Sequence, residues 1–244
     1  DCEVYVPPLT ADDCRFLLDY IKVETLHKYT DAEQGAWAKA EKPAGLRAPN
    51  GSSPKTVLLV RGLHYKVYGI EAAVPCKTTY TLPMRYEDVY AHDAVILCNV
   101  SFEMSGYALR KLYADYVQDG GRLVVLGGFS TLGQGGMKDT LLEDAMPFRL
   151  KGDHEVIACA PPLLLGARPN APFPDRPALF WRHDVALKEG AEPLAYAGSH
   201  PLAARMKVGK GHLAVFAGTV YGEGPHPFWE SESWRALTKR LTLE

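Results

Sequence analysis

The sequence predicts an α/β domain, a three-layer sandwich around a mostly parallel central sheet. Three observations predict it. Ala94-Val-Ile-Leu-Cys98 and Leu123-Val-Val-Leu126 are short apolar runs without helical spacing, the pattern of strands buried on both faces. Between them Tyr107, Leu109, Leu112, Tyr113, Tyr116 and Val117 recur mostly at three and four residues, which gathers them on one helical face. Asp119-Gly120-Gly121 then closes the helix as a C-terminal cap. Strand, helix and strand in immediate succession form a right-handed βαβ unit.

The other elements follow in order. Residues 1–55 read as an N-terminal appendage and linker. Glu3-Val-Tyr-Val-Pro-Pro8 is extended, Thr10-Ala-Asp-Asp13 has the pattern of a helix N-cap, and Cys14, Leu17, Leu18 and Ile21 give that helix an apolar face. Residues 41–55 are turn formers with almost no core residues. Residues 56–244 form the α/β domain. Thr56-Val-Leu-Leu-Val60 is its first strand, with Arg61-Gly62-Leu63-His64 at the carboxyl end. Tyr65 to Val74 reads as a helix with Val67, Ile70 and Val74 inward, and residues 78–82 are β-prone but alternate poorly. Beyond the βαβ unit, Thr140–Met146 is a short helix stopped by Pro147. Pro161, Pro162, Pro169, Pro172, Pro174 and Pro177 make residues 160–180 read as a long irregular loop. Pro193–Met206 mixes strand and turn, Gly209-Lys210-Gly211 is a tight turn, Leu213–Ala217 is a last buried strand, and Trp234–Leu241 is a terminal helix.

Composition narrows the function classes. At 47% hydrophobic and 23% charged, the chain has ordinary globular composition. Basic and acidic residues nearly balance, 27 against 29, and no basic stripe appears. Nothing therefore recruits nucleic acid or an anionic membrane. No apolar run approaches the roughly 18 residues of a membrane span. Cys2, Cys14, Cys76, Cys98 and Cys159 are dispersed, without a C-x-x-C pair. That usage suits reduced thiols in the cytoplasm, and a Cys2–Cys14 bridge stays open. The eight histidines show no metal-ligand spacing, so neither metal nor cofactor is expected. The chain opens on Asp1, with no initiator Met and no signal pattern, which reads as a processed product or a piece of a longer protein.

In an open α/β sheet, ligands bind outside the carboxyl ends of the strands. The loops Arg61–His64, Cys98–Ser101 and Gly127–Ser130 follow such ends, and Gly222–His226 joins them. The expected ligand-binding residues are Arg61, His64, Asn99, Gly127, Gly128, Phe129, Ser130, Glu223 and His226. Arg61, Asn99, Gly128 and Ser130 would line a pocket, with His226 or Trp229 at its rim. Gly133, Gly135 and Gly136 match neither a P-loop nor G-x-G-x-x-G and read as a flexible loop. Cys98 follows a strand, but Asn99-Val100-Ser101-Phe102 has no glycine for a sharp elbow, so it reads as a core thiol. Ser130 has no Ser-His-Asp arrangement around it and reads as a loop or capping hydroxyl. Phe228, Trp229 and Trp234 read as packing of the terminal helix.

Several segments together resemble the class I glutamine amidotransferase-like superfamily, in the branch near the ThuA-like proteins. They are Asp93–Asn99, Leu112–Gly128, Phe129–Gly136, Thr140–Pro147, and Gly209–Ala217 with Phe228-Trp229. The similarity covers residues 56–241 and implies a flavodoxin-like fold. It also implies where a nucleophile would sit: a cysteine on a strand-to-helix elbow within G-x-C-x-G, activated by histidine. The equivalent turn here reads Gly127-Gly128-Phe129-Ser130, without cysteine. The family's His-x-Glu pair is absent too, its nearest candidates being Glu223 and His226. The resulting expectation is a non-hydrolytic amidotransferase-like domain with no catalytic residue. It would bind a small polar ligand, carbohydrate-related by that resemblance, or a protein partner, and it leaves room for a homo-oligomer. Two rivals stand beside it: a hydrolase or amidotransferase using Cys98 or Ser130 as nucleophile, and a structural or interaction domain of a longer protein.

Overall fold

In the computed structural model, contacts divide the chain into two units, Asp1–Lys39 and Ala40–Glu244. The structure describes residues 42–62, 68–103, 105, 107–220 and 228–244, all in the second unit. The expected N-terminal extended segment and helix, Cys2, Cys14, His64, Val67, Glu223 and His226 lie outside the described residues. In chain order the strands and helices are β1 (Val57–Arg61), β2 (Lys77–Thr79), α1 (Tyr86–Tyr90), β3 (Ala94–Cys98), α2 (Tyr107–Gln118), β4 (Arg122–Leu126) and α3 (Leu141–Ala145). There follow β5 (Phe148–Leu150), β6 (Val156–Arg168), β7 (Ala171–Pro172), β8 (Ala178–His183), β9 (Val185–Leu187), β10 (Glu192–Ala197), β11 (His200–Val208), β12 (Gly211–Phe216) and α4 (Glu232–Leu243).

The parallel half of the sheet has the order β2-β1-β3-β4-β12. Every residue of β3 and β4 is buried, as continuous apolar runs require. Register aligns Leu58, Val95, Leu123 and Leu213 in one row across four strands. Helix α2 buries Leu109, Leu112, Tyr113, Tyr116 and Val117, the face that its spacing predicts. The expected short helix is α3, and Thr140 caps it by accepting the Glu143 N–H. Trp234 of α4 is buried against Phe216, Phe228 and Tyr68, and its indole N–H donates to the Tyr68 carbonyl at 2.8 Å. The packing reading of that cluster therefore holds. Of the expected helix at 65–74, the described part is a single 3-10 turn, Ile70–Ala72.

The sheet is mixed rather than mostly parallel. Beyond β12 it continues antiparallel as β11-β10-β6-β7, with β8 also on β6. Two-residue turns, Gly198-Ser199 and Gly209-Lys210, join β10 to β11 and β11 to β12, and so short a link permits only antiparallel neighbours. The expected irregular loop at 160–180 is β6, β7 and the start of β8. Pro161 and Pro162 fall where the β6–β8 register shifts, between Ala158 and Leu163, so they owe no ladder hydrogen bond. Pro172 ends the two-residue outer strand. The antiparallel half then curls back. The His183 N–H donates to Ala217 O (2.8 Å) and the Thr219 N–H to Trp181 O (3.1 Å), setting β8 against the chain just past β12.

Residues 47–55, read from sequence as linker, are laced together with Thr56 to the opposite edge by one buried carboxylate. Asp93 accepts the N–H groups of Asn50 (3.0 Å), Lys55 (3.0 Å) and Thr56 (3.1 Å), the Thr56 hydroxyl (3.0 Å) and the Arg47 guanidinium. Burial alone would raise its pKa. The Asn50 and Lys55 amides, the Thr56 hydroxyl and Arg47 outweigh that and hold the carboxyl well below the usual range. A carboxyl with a depressed folded pKa contributes stability above the unfolded value, near 3.9, and loses it as pH falls toward the folded one. Asp93→Asn is expected to cost on the order of 3 kcal/mol at neutral pH. Urea unfolding of both proteins checks this, and the gap should shrink below about pH 4. A gap independent of pH would refute the assignment.

Candidate functional site at the carboxyl ends of the strands

The strands β1, β3, β4 and β12 are parallel, so their carboxyl ends share one edge, where sequence places the site. Each loop leaving that edge is tied to the neighbouring strand by its first amides. The Gly62 N–H donates to Cys98 O (2.9 Å), Asn99 N–H to Leu126 O (3.2 Å) and Gly127 N–H to Phe216 O (2.8 Å).

The turn from Gly127 to Gly133 is the centre of this arrangement. Three of its amides point at side-chain acceptors. Gly128 donates to His183 Nε2 (3.1 Å), Ser130 to Asn99 Oδ1 (2.8 Å) and Gly133 to Glu155 Oε1 (2.9 Å). His183 Nδ1 lies 2.8 Å from the same Glu155 oxygen, and both side chains are buried, 0% and 1% exposed. Because Nε2 accepts an amide N–H, the ring proton sits on Nδ1 and is donated to Glu155. The Tyr68 hydroxyl, beneath the turn, donates to the Gly127 carbonyl.

Two glycines make this packing possible. A Cβ at Gly128 would lie 2.2 Å from Asn99 Oδ1, and one at Gly133 would lie 2.2 Å from Glu155 Oε2 and from Gly152 O. No side chain but glycine's fits such approaches. Glu155 thus holds Gly133 through Oε1, which takes the N–H, while Oε2 occupies the space that a Cβ would need. Asn99 holds a left-handed backbone, φ 50, while buried. Asparagine tolerates that conformation better than most residues.

The structure brings Asn99, Gly127, Gly128, Phe129 and Ser130 together, but not as the expected pocket. Asn99 and Gly128 are buried against each other. Arg61 ends β1 and pairs with Glu71. Phe129 and Ser130 are half-buried, and Phe129 meets Trp181 edge to face at 5.8 Å. Trp229 packs edge-on against Phe228. The glycine loop expected to be flexible is packed. Leu132 and Met137 are buried, and Arg110 donates to the carbonyls of Gly136, Ser105 and Phe102. A cavity of ≈ 340 Å³ lies on the opposite edge, lined by residues 42–48, Tyr90, Asp119 and Lys210. There Lys42 pairs with Asp119, which also accepts the Tyr90 hydroxyl at 2.7 Å.

Sequence reasoning missed His183 and Glu155. They stand 55 and 22 residues from their amide partners, too far for a spacing motif. The available signal was a histidine ending an apolar, aromatic run, Ala178-Leu-Phe-Trp-Arg-His183. The neighbouring prolines masked it as loop. Cys98 is buried, and burial pushes its thiol up to about 12 against a small lowering by Arg61. Among the described residues no three of His, Cys, Asp or Glu are grouped to hold a metal ion. No helix among them is long and apolar enough to cross a membrane.

No family model matches the chain, and no curated protein does. The fold is nonetheless shared with solved structures. Cytoplasmic protein STM1381 from Salmonella typhimurium LT2 aligns with a TM-score of 0.63 at 16% identity, covering 78% of this chain and 100% of its own. Cytoplasmic protein STM3548 from Salmonella typhimurium gives the same score and coverage at 13% identity. A polyextremophilic beta-galactosidase from Halorubrum lacusprofundi aligns at 0.50 and 14% identity, over 80% of this chain and 31% of the enzyme. At these identities the likeness is one of fold: a mixed α/β domain.

Two outcomes follow from the site. Asn99→Ala leaves alanine in a left-handed conformation and removes the acceptor of the Ser130 amide, so it should destabilise by about 2 kcal/mol. A thermal midpoint unchanged by this substitution would mean that Asn99 is not locked as described. Cys98, buried with a raised pKa, should react slowly with iodoacetamide near neutral pH in the folded state. Rapid stoichiometric labelling would contradict its placement.

Proposed function

We propose that this chain is a non-hydrolytic glutamine amidotransferase-like domain that acts by binding, in the cytoplasm, through the carboxyl edge of its sheet. The order β2-β1-β3-β4-β12 supports the flavodoxin-like part of that reading, since it is the 2-1-3-4-5 order of such sheets. One observation carries the functional part. The amides of Gly128, Ser130 and Gly133 are all satisfied by acceptors from within the protein. An acyl-transfer site needs such donors aimed at the position of a developing oxyanion. It also needs a histidine nitrogen free to take a proton from the nucleophile, whereas both ring nitrogens of His183 are engaged.

Phe129, Trp181 and Ser130 are half-buried, and their apolar rings and one hydroxyl suit contact with a protein surface. A small polar ligand has less support at this turn, because Asn99 and Gly128 are buried against each other there. The test is ammonia release from glutamine by the purified protein, compared with Cys98→Ala and Ser130→Ala. The expected result is no release above buffer. Turnover abolished by either substitution would install the hydrolase reading instead.

A further inference from the structure

Three acceptors hold the turn at Gly127–Gly133: Asn99 Oδ1, Glu155 Oε1 and His183 Nε2. Only the imidazole turns from acceptor to donor within the range of ordinary pH. A proton added at Nε2 would place N–H against N–H at a separation now 3.1 Å, at a side chain 0% exposed. The Gly128 amide would then lose its acceptor, with no water to replace it. The ring would keep its bond to Glu155, whose carboxylate gains from facing an imidazolium.

We propose that His183 is a proton-operated latch on this turn. The neutral ring holds Gly128 closed against the edge. The imidazolium stays on Glu155 and releases Gly128, exposing an amide donor beside Phe129 and Ser130. The charged and titratable groups around the ring are these. Glu155 faces Nδ1 from the segment before β6. On the ring's own strand the Arg182 guanidinium donates to the His183 carbonyl (3.2 Å) and pairs with Asp184, which Lys151 also holds. From the β4 side the ring meets Gly127 and Gly128, which carry no charge. Tyr68 reaches the carbonyls of Gly127 and Gly218 with its hydroxyl. The latch does not depend on what binds at the edge. Glutamine hydrolysis would overturn the binding reading and leave it standing.

The experiment is a pH titration of the full ¹⁵N-labelled chain by NMR, from about pH 8 to about pH 5, following the His183 ring nitrogens and the Gly128 amide. The expected result is one shared midpoint. The ring passes from the Nδ1–H form to imidazolium while Gly128 loses at least about tenfold of its exchange protection, corrected for intrinsic pH dependence. The Ser130 amide, held by a group that does not titrate, should change less. Glu155→Gln should move the midpoint to lower pH, because it removes the charge that favours the imidazolium, and His183→Gln should abolish the step. If neither variant folds, the wild-type titration decides alone. Constant Gly128 protection through the His183 transition would overturn the latch, as would a ring still neutral at the acid end.

Discussion

The Gly128 amide donates to one acceptor, the Nε2 of His183, and that buried bond ties the turn past the parallel half to the end of the antiparallel half. Gly128 lies just past β4, in the parallel half; His183 ends β8, the strand that returns after the antiparallel excursion. The bond has the geometry it has only because β8 is set against Ala217 and Thr219 by backbone pairing. It is also buried, so water cannot stand in for either partner. Glu155 orients the ring and at the same time holds Gly133, so one carboxylate couples the histidine to the far end of the turn.

The two edges of the parallel sheet solve the same problem in different ways. Loops at a sheet end leave backbone amides without ladder partners, and buried amides must find acceptors. At the amino edge Asp93 supplies one charged acceptor to three backbone amides at residues 50–56. At the carboxyl edge the acceptors are spread over three side chains, Asn99, Glu155 and His183, from three separate parts of the chain. The first arrangement ties a local segment down. The second draws on residues 31, 22 and 55 positions away from the amides they accept.

A glycine-rich turn at the end of a central strand is commonly read as an open invitation to a ligand. Here the glycines serve close packing. Gly128 lets Asn99 approach and Gly133 lets Glu155 approach, so the donors face inward. The same two glycines would be required by a ligand site or by an internal lock, and sequence gives no means of separating the two.

Much of the parallel half was legible in the sequence. The apolar runs at 56–60, 94–98, 123–126 and 213–217 fall on strands β1, β3, β4 and β12, adjacent and parallel, and the three-and-four spacing between Tyr107 and Val117 is a helix. Those signals are local, because burial on both faces of a strand or on one face of a helix writes itself into neighbouring residues. The antiparallel half was not legible. The prolines at 161 and 162 speak for loop at short range, and only the register shift in β6 lets them stand within a strand. The turn at Gly127–Ser130 could be placed by its sequence, but its state could not. Whether its amides face a ligand or the protein is decided by His183 and Glu155, which reach it only when the sheet curls back on itself. Contacts between residues so far apart leave no periodicity, and tertiary structure alone determines them.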